Sequence, residues 1–326
     1  MRKNYLLLLI PPVPFGRWIC GTGLFCLLFL FFKLNFPQNM PSATLFFTLI
    51  ISYIIPIYSY ISDQSVQALE DLKDELSLTA AEFARTKQAI THTTFKGNVI
   101  APAGGLVFAL FHQWLIYGTL FNISRGDENS AQVQAGFIGT ILIWIVMTSV
   151  IMGLINNARI FSQLGKHQVK IDLFQTYKLL PFARIAIIST LALVGALALF
   201  PILLLDSESP LTGALPGFLA TAIPVFIMLA IPIWPIHKRL LQAKEKALTD
   251  IRELIREHTG GPDPVPLNAG TVTTLAPLLA YQRSLVLIST WPFDLSALTR
   301  LAFYLIIPPL TWVGAALIEK GLDLVL

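Results

Sequence analysis

Val107–Gly118 reads VFALFHQWLIYG, a histidine and a glutamine side by side in an otherwise oily run. Either the pair is packed polar interior, or it marks a path through a membrane. The choice depends on whether the chain belongs in a bilayer, and composition answers that first. Of 326 residues, 55% are hydrophobic and 13% are charged. A soluble domain carries about 25% charged residues. Mean hydropathy is +0.68.

The missing charge is concentrated in long runs, each near or above the ~20 residues that a helix needs to cross a ~30 Å hydrocarbon core. Seven such runs are read: Trp18–Phe32, Ser42–Ile61, Ala101–Asn122, Gly136–Asn156, Ile185–Leu205, Gly217–Trp234 and Leu301–Ile318. None contains Asp, Glu, Lys or Arg. They are too long for soluble strands. Their polar gaps are too irregular for an outer-membrane barrel, whose strands alternate over ~10 residues. The expected fold is therefore an all-α polytopic membrane protein with cytoplasmic helical extensions.

Basic residues orient it. Of the 23 lysines and arginines, all but Lys33, Arg125 and Lys320 fall in segments 1–17, 62–100, 157–184 and 235–300. The positive-inside rule then predicts N-in, C-out with an odd number of spans. The expected location is a cell membrane, the inner one in a bacterium. The net charge of +4 reflects this inner face and calls for no nucleic-acid partner. The organisation follows: 1–62 holds two spans, 63–100 a cytoplasmic amphipathic helix, 101–236 four spans with a basic loop at 157–184, 237–300 a cytoplasmic helix and an interfacial segment, and 301–326 the last span and an outside tail. The N-terminal MRKNYLLLLIPP is read as retained, since its apolar core is short and no small-residue cleavage site follows. Cys20 and Cys26 are read as inert.

Two inner segments carry a seven-residue apolar repeat. In Asp63–Ile90 it is Leu69, Leu76, Phe83 and Ile90; in His237–Gly261 it is Leu241, Leu248 and Ile255. Each predicts an amphipathic helix with a coiled-coil-like seam, packed within one subunit or between subunits. The second is expected to extend the sixth span inward. Segment 157–184 predicts a further surface helix whose basic residues meet anionic lipid. Trp291, Asp294 and Arg300 are expected to anchor the entry of the last span, with the aromatic ring at the headgroups, the carboxylate capping the helix and the guanidinium at lipid phosphates.

Catalytic and metal signatures such as GxxxxGK[ST], HExxH, CxxC and GxSxG are not present. The expectation is a non-enzyme without cofactor or metal. Within the spans His112 is the only ionisable side chain apart from Tyr and Cys. His112 and Gln113 fall near mid-membrane, about 100° apart on the helix, so they face different neighbours. They either bond between helices or line a pathway. Asn122, Pro308, Pro309 and Thr311 join them as pathway candidates, the paired prolines because they free backbone carbonyls inside a span. The functional expectation is a self-associating channel gated through its cytoplasmic helices. The alternatives are a non-catalytic signalling or scaffold subunit with a cytoplasmic protein partner, and a secondary transporter that coordinates its cargo through backbone carbonyls.

Overall fold

The computed structural model describes residues 2–36, 41–118, 130–204, 211–259 and 269–292, together with Thr299, Phe303 and Ile306. The described chain runs as β1 (Arg2–Lys3), α1 (Tyr5–Leu8), α2 (Gly16–Asn35), α3 (Pro41–Asp71), α4 (Ala80–Thr91), β2 (His92–Thr93), α5 (Phe95–Tyr117), α6 (Ser130–His167), α7 (Leu180–Leu197), α8 (Leu211–Thr259) and α9 (Ala269–Leu287), with short 3-10 turns at Lys73–Glu75, Leu173–Leu179 and Phe200–Leu204. Six helical stretches are long and apolar enough to cross a membrane: Gly16–Asn35, Ser42–Asp71, Phe95–Ile116, Gln134–His167, Leu173–Leu203 and Pro216–Thr259. They correspond to the first six spans read from the sequence. The seventh, Leu301–Ile318, lies outside the described residues apart from Phe303 and Ile306.

The bundle is built around α3, which packs against α2, α6 and α7; α5 lies on α6, and α8 on α6 and α7. One apolar core, including Phe32, Ile50, Ile54, Leu154 and Leu193, fills the middle of the bundle. A second, including Leu69, Leu72, Phe161, Phe182, Ile236 and Leu240, lies toward the loops that hold most of the basic residues. The outward faces are equally apolar. Trp18 is 74% exposed, and Leu27, Leu34, Val107, Phe111 and Trp114 are also exposed. So much bare hydrocarbon would associate in water, but it is the surface a lipid-facing helix needs.

Lipid supplies no hydrophobic drive between helices, so close packing has to hold them together. Gly105 lets α5 lie close against the backbone of α6. A Cβ there would stand 2.6 Å from both Ile145 Cα and the Trp144 carbonyl oxygen. Where α3 meets α7, Gly195 leaves room for the Tyr53 hydroxyl, which donates to the Ala192 carbonyl at 3.1 Å.

Local chemistry explains the helix limits. Thr94 caps α5 by accepting from the Gly97 N–H at 3.1 Å. Gly118, at φ 70°, ends it in the left-handed region that glycine tolerates. The third span thus stops at Tyr117, short of the Asn122 expected from hydropathy. α8 runs unbroken for 49 residues through Pro216, Pro224, Pro232 and Pro235. At ~1.5 Å per residue it is about 73 Å long, over twice a hydrocarbon core. The sixth span therefore does continue as one rod into the segment from His237 to Thr259. α9 docks on that rod. The Lys244 ammonium donates to the carbonyls of Val286 and Ile288, both at 2.7 Å, which satisfies the carbonyls at the C-terminal end of α9.

The helix expected over Asp63–Ile90 is two helices instead. α3 stops at Asp71, and Leu76 leaves the helix to bridge Val169 in an antiparallel pair. The Ser77 N–H donates to the Gln168 carbonyl at 2.7 Å, and the Lys170 N–H to that of Glu75 at 2.8 Å. Thr79 then restarts the helix. Its hydroxyl accepts from the Glu82 N–H at 3.3 Å, while the Glu82 carboxylate accepts from the Thr79 N–H at 2.9 Å. In 157–184, likewise, there is no separate surface helix: α6 continues to His167, and the 3-10 turn Leu173–Leu179 leads into α7.

The Thr79–Glu82 box is pH-sensitive. The backbone N–H of Thr79, then its hydroxyl, holds the Glu82 carboxyl below the ordinary glutamate range. A carboxyl whose folded pKa is depressed stabilises at pH above its unfolded pKa and loses that contribution as pH falls through the folded one. Protection of the amides in the first turn of α4, corrected for the intrinsic exchange rate at each pH, is therefore expected to fall below the ordinary glutamate pKa. Glu82→Gln should remove that pH step, and an unchanged step would break the assignment.

Candidate functional site

The N-terminal strap, β1 and α1, folds back under the bundle. β1 pairs antiparallel with β2, Arg2 opposite Thr93 and Lys3 opposite His92. The Asn4 N–H reaches the Thr91 carbonyl at 3.4 Å, and the Asn98 amide donates to the Lys3 carbonyl at 3.2 Å. Leu6 is fully buried. Asn4 is buried here, away from the water that its amide would otherwise bond. Its polar groups are met by partners instead. Asn4 Nδ2 donates to the Tyr58 hydroxyl at 3.0 Å. The Tyr5 hydroxyl donates to Ser149 Oγ at 2.6 Å, and Ser149 in turn donates to the Ile145 carbonyl at 2.7 Å. Burial pushes the Tyr5 phenol above its ordinary pKa, and the bond to Ser149 offsets part of the shift, so Tyr5 stays a neutral donor.

The strap roofs a cavity of about 120 Å³. One wall is α3 through Tyr58. A second is the turn into α5: Thr91, His92, Thr93, Gly97 and Asn98. The third is α6: Ser149, Met152, Gly153, Asn156 and Arg159. The cavity lies where the second, third and fourth spans meet the segments rich in lysine and arginine. Gly153 is required here, because a Cβ would run into the Tyr58 ring and hydroxyl. Asn156 fastens α6 to α4 by donating to the Ala89 carbonyl at 3.3 Å. Next to it Asn157 is 2% exposed, and neither end of its amide finds a hydrogen bond. Just outside, an open groove is lined by Asp63, Glu70, Lys87 and Thr91. Both acids there are paired, Asp63 with Arg17 and Glu70 with Lys87 at 2.6 Å. The cavity is small, but it has room for several waters or one small polar group, and nearly every wall offers donors or acceptors.

Of the sequence-predicted residues that are described, Ile90 alone lines this cavity. His112 and Gln113 do face different neighbours. Gln113 is buried. His112 Nδ1 accepts from the Trp144 indole N–H at 2.8 Å, and the rings meet edge to face at 5.9 Å. This is an interhelical bond, the kind worth ~0.6–2 kcal/mol in a membrane. Asn122, Asp294, Arg300, Pro308, Pro309 and Thr311 lie outside the described residues. Trp291 stacks on His237, centroids 3.9 Å apart and 15° off parallel. Of the first seam, Leu69, Leu76 and Ile90 are buried and Phe83 half-buried, but Leu69 is on α3, Leu76 in the bridge and the other two on α4. Of the second, Leu241 is exposed and Leu248 and Ile255 are half-buried. The buried face of α8 is instead Ile233, Ile236, Leu240 and Ile251.

Sequence reasoning missed the cavity, although its parts are visible there. "THTT" at Thr91–Thr94 and "NNAR" at Asn156–Arg159 are polar clusters at the ends of apolar runs. Only the return of the N-terminus joins them. Among the described residues there is no cluster of metal-ligating side chains. Compared with protein-family models, curated proteins and solved structures, the chain matches none.

Proposed function

We propose that the chain is a seven-span, N-in and C-out protein of a cell membrane, and that each protomer carries a small polar solute through the cavity beneath the N-terminal strap. The observation behind this reading is the cavity itself, a polar chamber formed within one chain at the inner ends of three otherwise uncharged spans. A pathway inside a protomer is what a carrier needs. The strap closes the chamber from the loop side and is held by one fully buried side chain, Leu6, and replaceable hydrogen bonds, a suitable element for a gate. The reading is non-enzymatic.

A channel formed by several copies and gated from the cytoplasm is the second reading. It is favoured by α8, a continuous rod that joins a proline-rich span to the inner segment where α9 docks. A motion of α9 would reach the membrane through that rod.

Asn156→Cys in a Cys26→Ser background separates the two. In proteoliposomes an impermeant thiol reagent should reach the thiol introduced at position 156 only from the face that carries the basic loops. Modification should cut the flux of small polar solutes at least tenfold. Undiminished flux after full modification would move the pathway out of the protomer, as the channel reading requires. Labelling only from the opposite face would reverse the topology.

A further inference from the structure

We infer that the ligand of this cavity is an anion of phosphate or carboxylate size, held through Arg159. The inference rests on the reading of the cavity as the solute site and adds the chemistry of the solute. Among the described residues no carboxylate lines the chamber, whereas Arg159 and His92 both do. Arg159 has no acidic partner among the described residues. Four acids elsewhere on this face of the bundle are matched to other bases: Asp63 to Arg17, Glu70 to Lys87, Asp71 to Arg184 and Glu75 to Lys178. The chamber therefore keeps a positive charge that no described side chain neutralises.

The uncharged groups point the same way. Thr91 Oγ1 lies 2.8 Å from His92 Nδ1. When that hydroxyl donates, the ring proton is on Nε2 and His92 presents a donor. The first turn of α5 forms part of the wall, and a helix start carries partial positive charge. The paired strap strand sets Lys3 opposite His92. A guanidinium binds a phosphate or carboxylate through two parallel N–H···O bonds, a geometry a neutral solute cannot return. A cation would face the Arg159 charge with no carboxylate among the described lining residues to offset it.

A phosphate group can come from solution or from a lipid headgroup of the adjoining leaflet, and the chemistry at Arg159 is the same. The test uses the full chain in phosphatidylcholine nanodiscs, as wild type, Arg159→Gln and Arg159→Lys. Radiolabelled inorganic phosphate should bind the wild type, bind the glutamine variant at least tenfold more weakly, and recover in part with lysine. That pattern supports a free anion. If phosphate fails to bind, but phosphatidic acid in the nanodisc raises the melting temperature of the wild type and not of Arg159→Gln, the inference holds with the lipid headgroup as ligand. If neither probe distinguishes wild type from Arg159→Gln, the inference is overturned. Should flux of neutral solutes still be blocked by modification of Asn156→Cys in that case, the carrier reading survives without it. Binding dependent on Arg159 together with flux indifferent to that modification would do the reverse.

Discussion

Gly105→Val is expected to force α5 away from α6. The added Cβ would overlap the backbone of Trp144 and Ile145, not a side chain that could rotate aside. Overpacking that side chains can absorb costs about 1–3 kcal/mol, and more where the backbone must move. A loss above about 3 kcal/mol is therefore expected, and with it the bond from Trp144 to His112, two turns further along α5. Unfolding in detergent, followed by tryptophan fluorescence, would measure it. The neighbouring position is the control. A Cβ at Gly104 meets only Thr148 Cγ2 at 4.0 Å, so Gly104→Ala should be neutral or slightly stabilising. If Gly105→Val were as harmless as Gly104→Ala, the two helices could not be in backbone contact.

Leu6→Ala is expected to free the N-terminal strap. Leu6 is the fully buried side chain of α1, packed in the same core as Phe32, Ile54 and Leu154. Truncating a buried leucine costs about 2–5 kcal/mol. The strap's other attachments are the half-buried Tyr5 and Leu7 and hydrogen bonds, which contribute about 1 kcal/mol each. The loss should therefore appear as local opening and not as global unfolding. Amide exchange at Asn4 and across the β1–β2 pair should rise about thirtyfold or more, since about 1.4 kcal/mol is tenfold. The α3 and α6 amides away from the strap should change little. A fall in melting temperature with unaltered exchange at Asn4 would mean that Leu6 supports the core without holding the strap closed.

Much of the membrane architecture was legible from residue type alone. Charge-free runs such as Ser42–Ile61 and Gly136–Asn156 can satisfy their backbones in lipid only as helices, and helices are what the structure has there. The boundaries were less legible. Hydropathy placed the end of the third span at Asn122, but Gly118 stops it earlier, because an αL cap is a property of one residue and not of a window. The repeat Leu69–Leu76–Phe83–Ile90 looked continuous because all of its side chains but Phe83 are indeed buried. What breaks it is the capping box from Thr79 to Glu82, a helix start inside the supposed helix. That signal was in the sequence, but periodicity masked it.

His112 shows the same division. Its oddity in an apolar run was plain, but a lone imidazole between helices can either bond or conduct. The indole of Trp144, 32 positions away, gives it a bond. The cavity lies wholly on the tertiary side. Asn4, Tyr58, His92, Ser149 and Arg159 are scattered over nearly half the chain, and no local spacing joins them. Composition determined that this chain lives in lipid and folds as helices, since an unpaired backbone there is too costly. Which polar groups meet was decided only by the packing of α3, α5 and α6 and by the strap returning beneath them, because partners far apart in sequence are brought together by burial and shape, which no local pattern encodes.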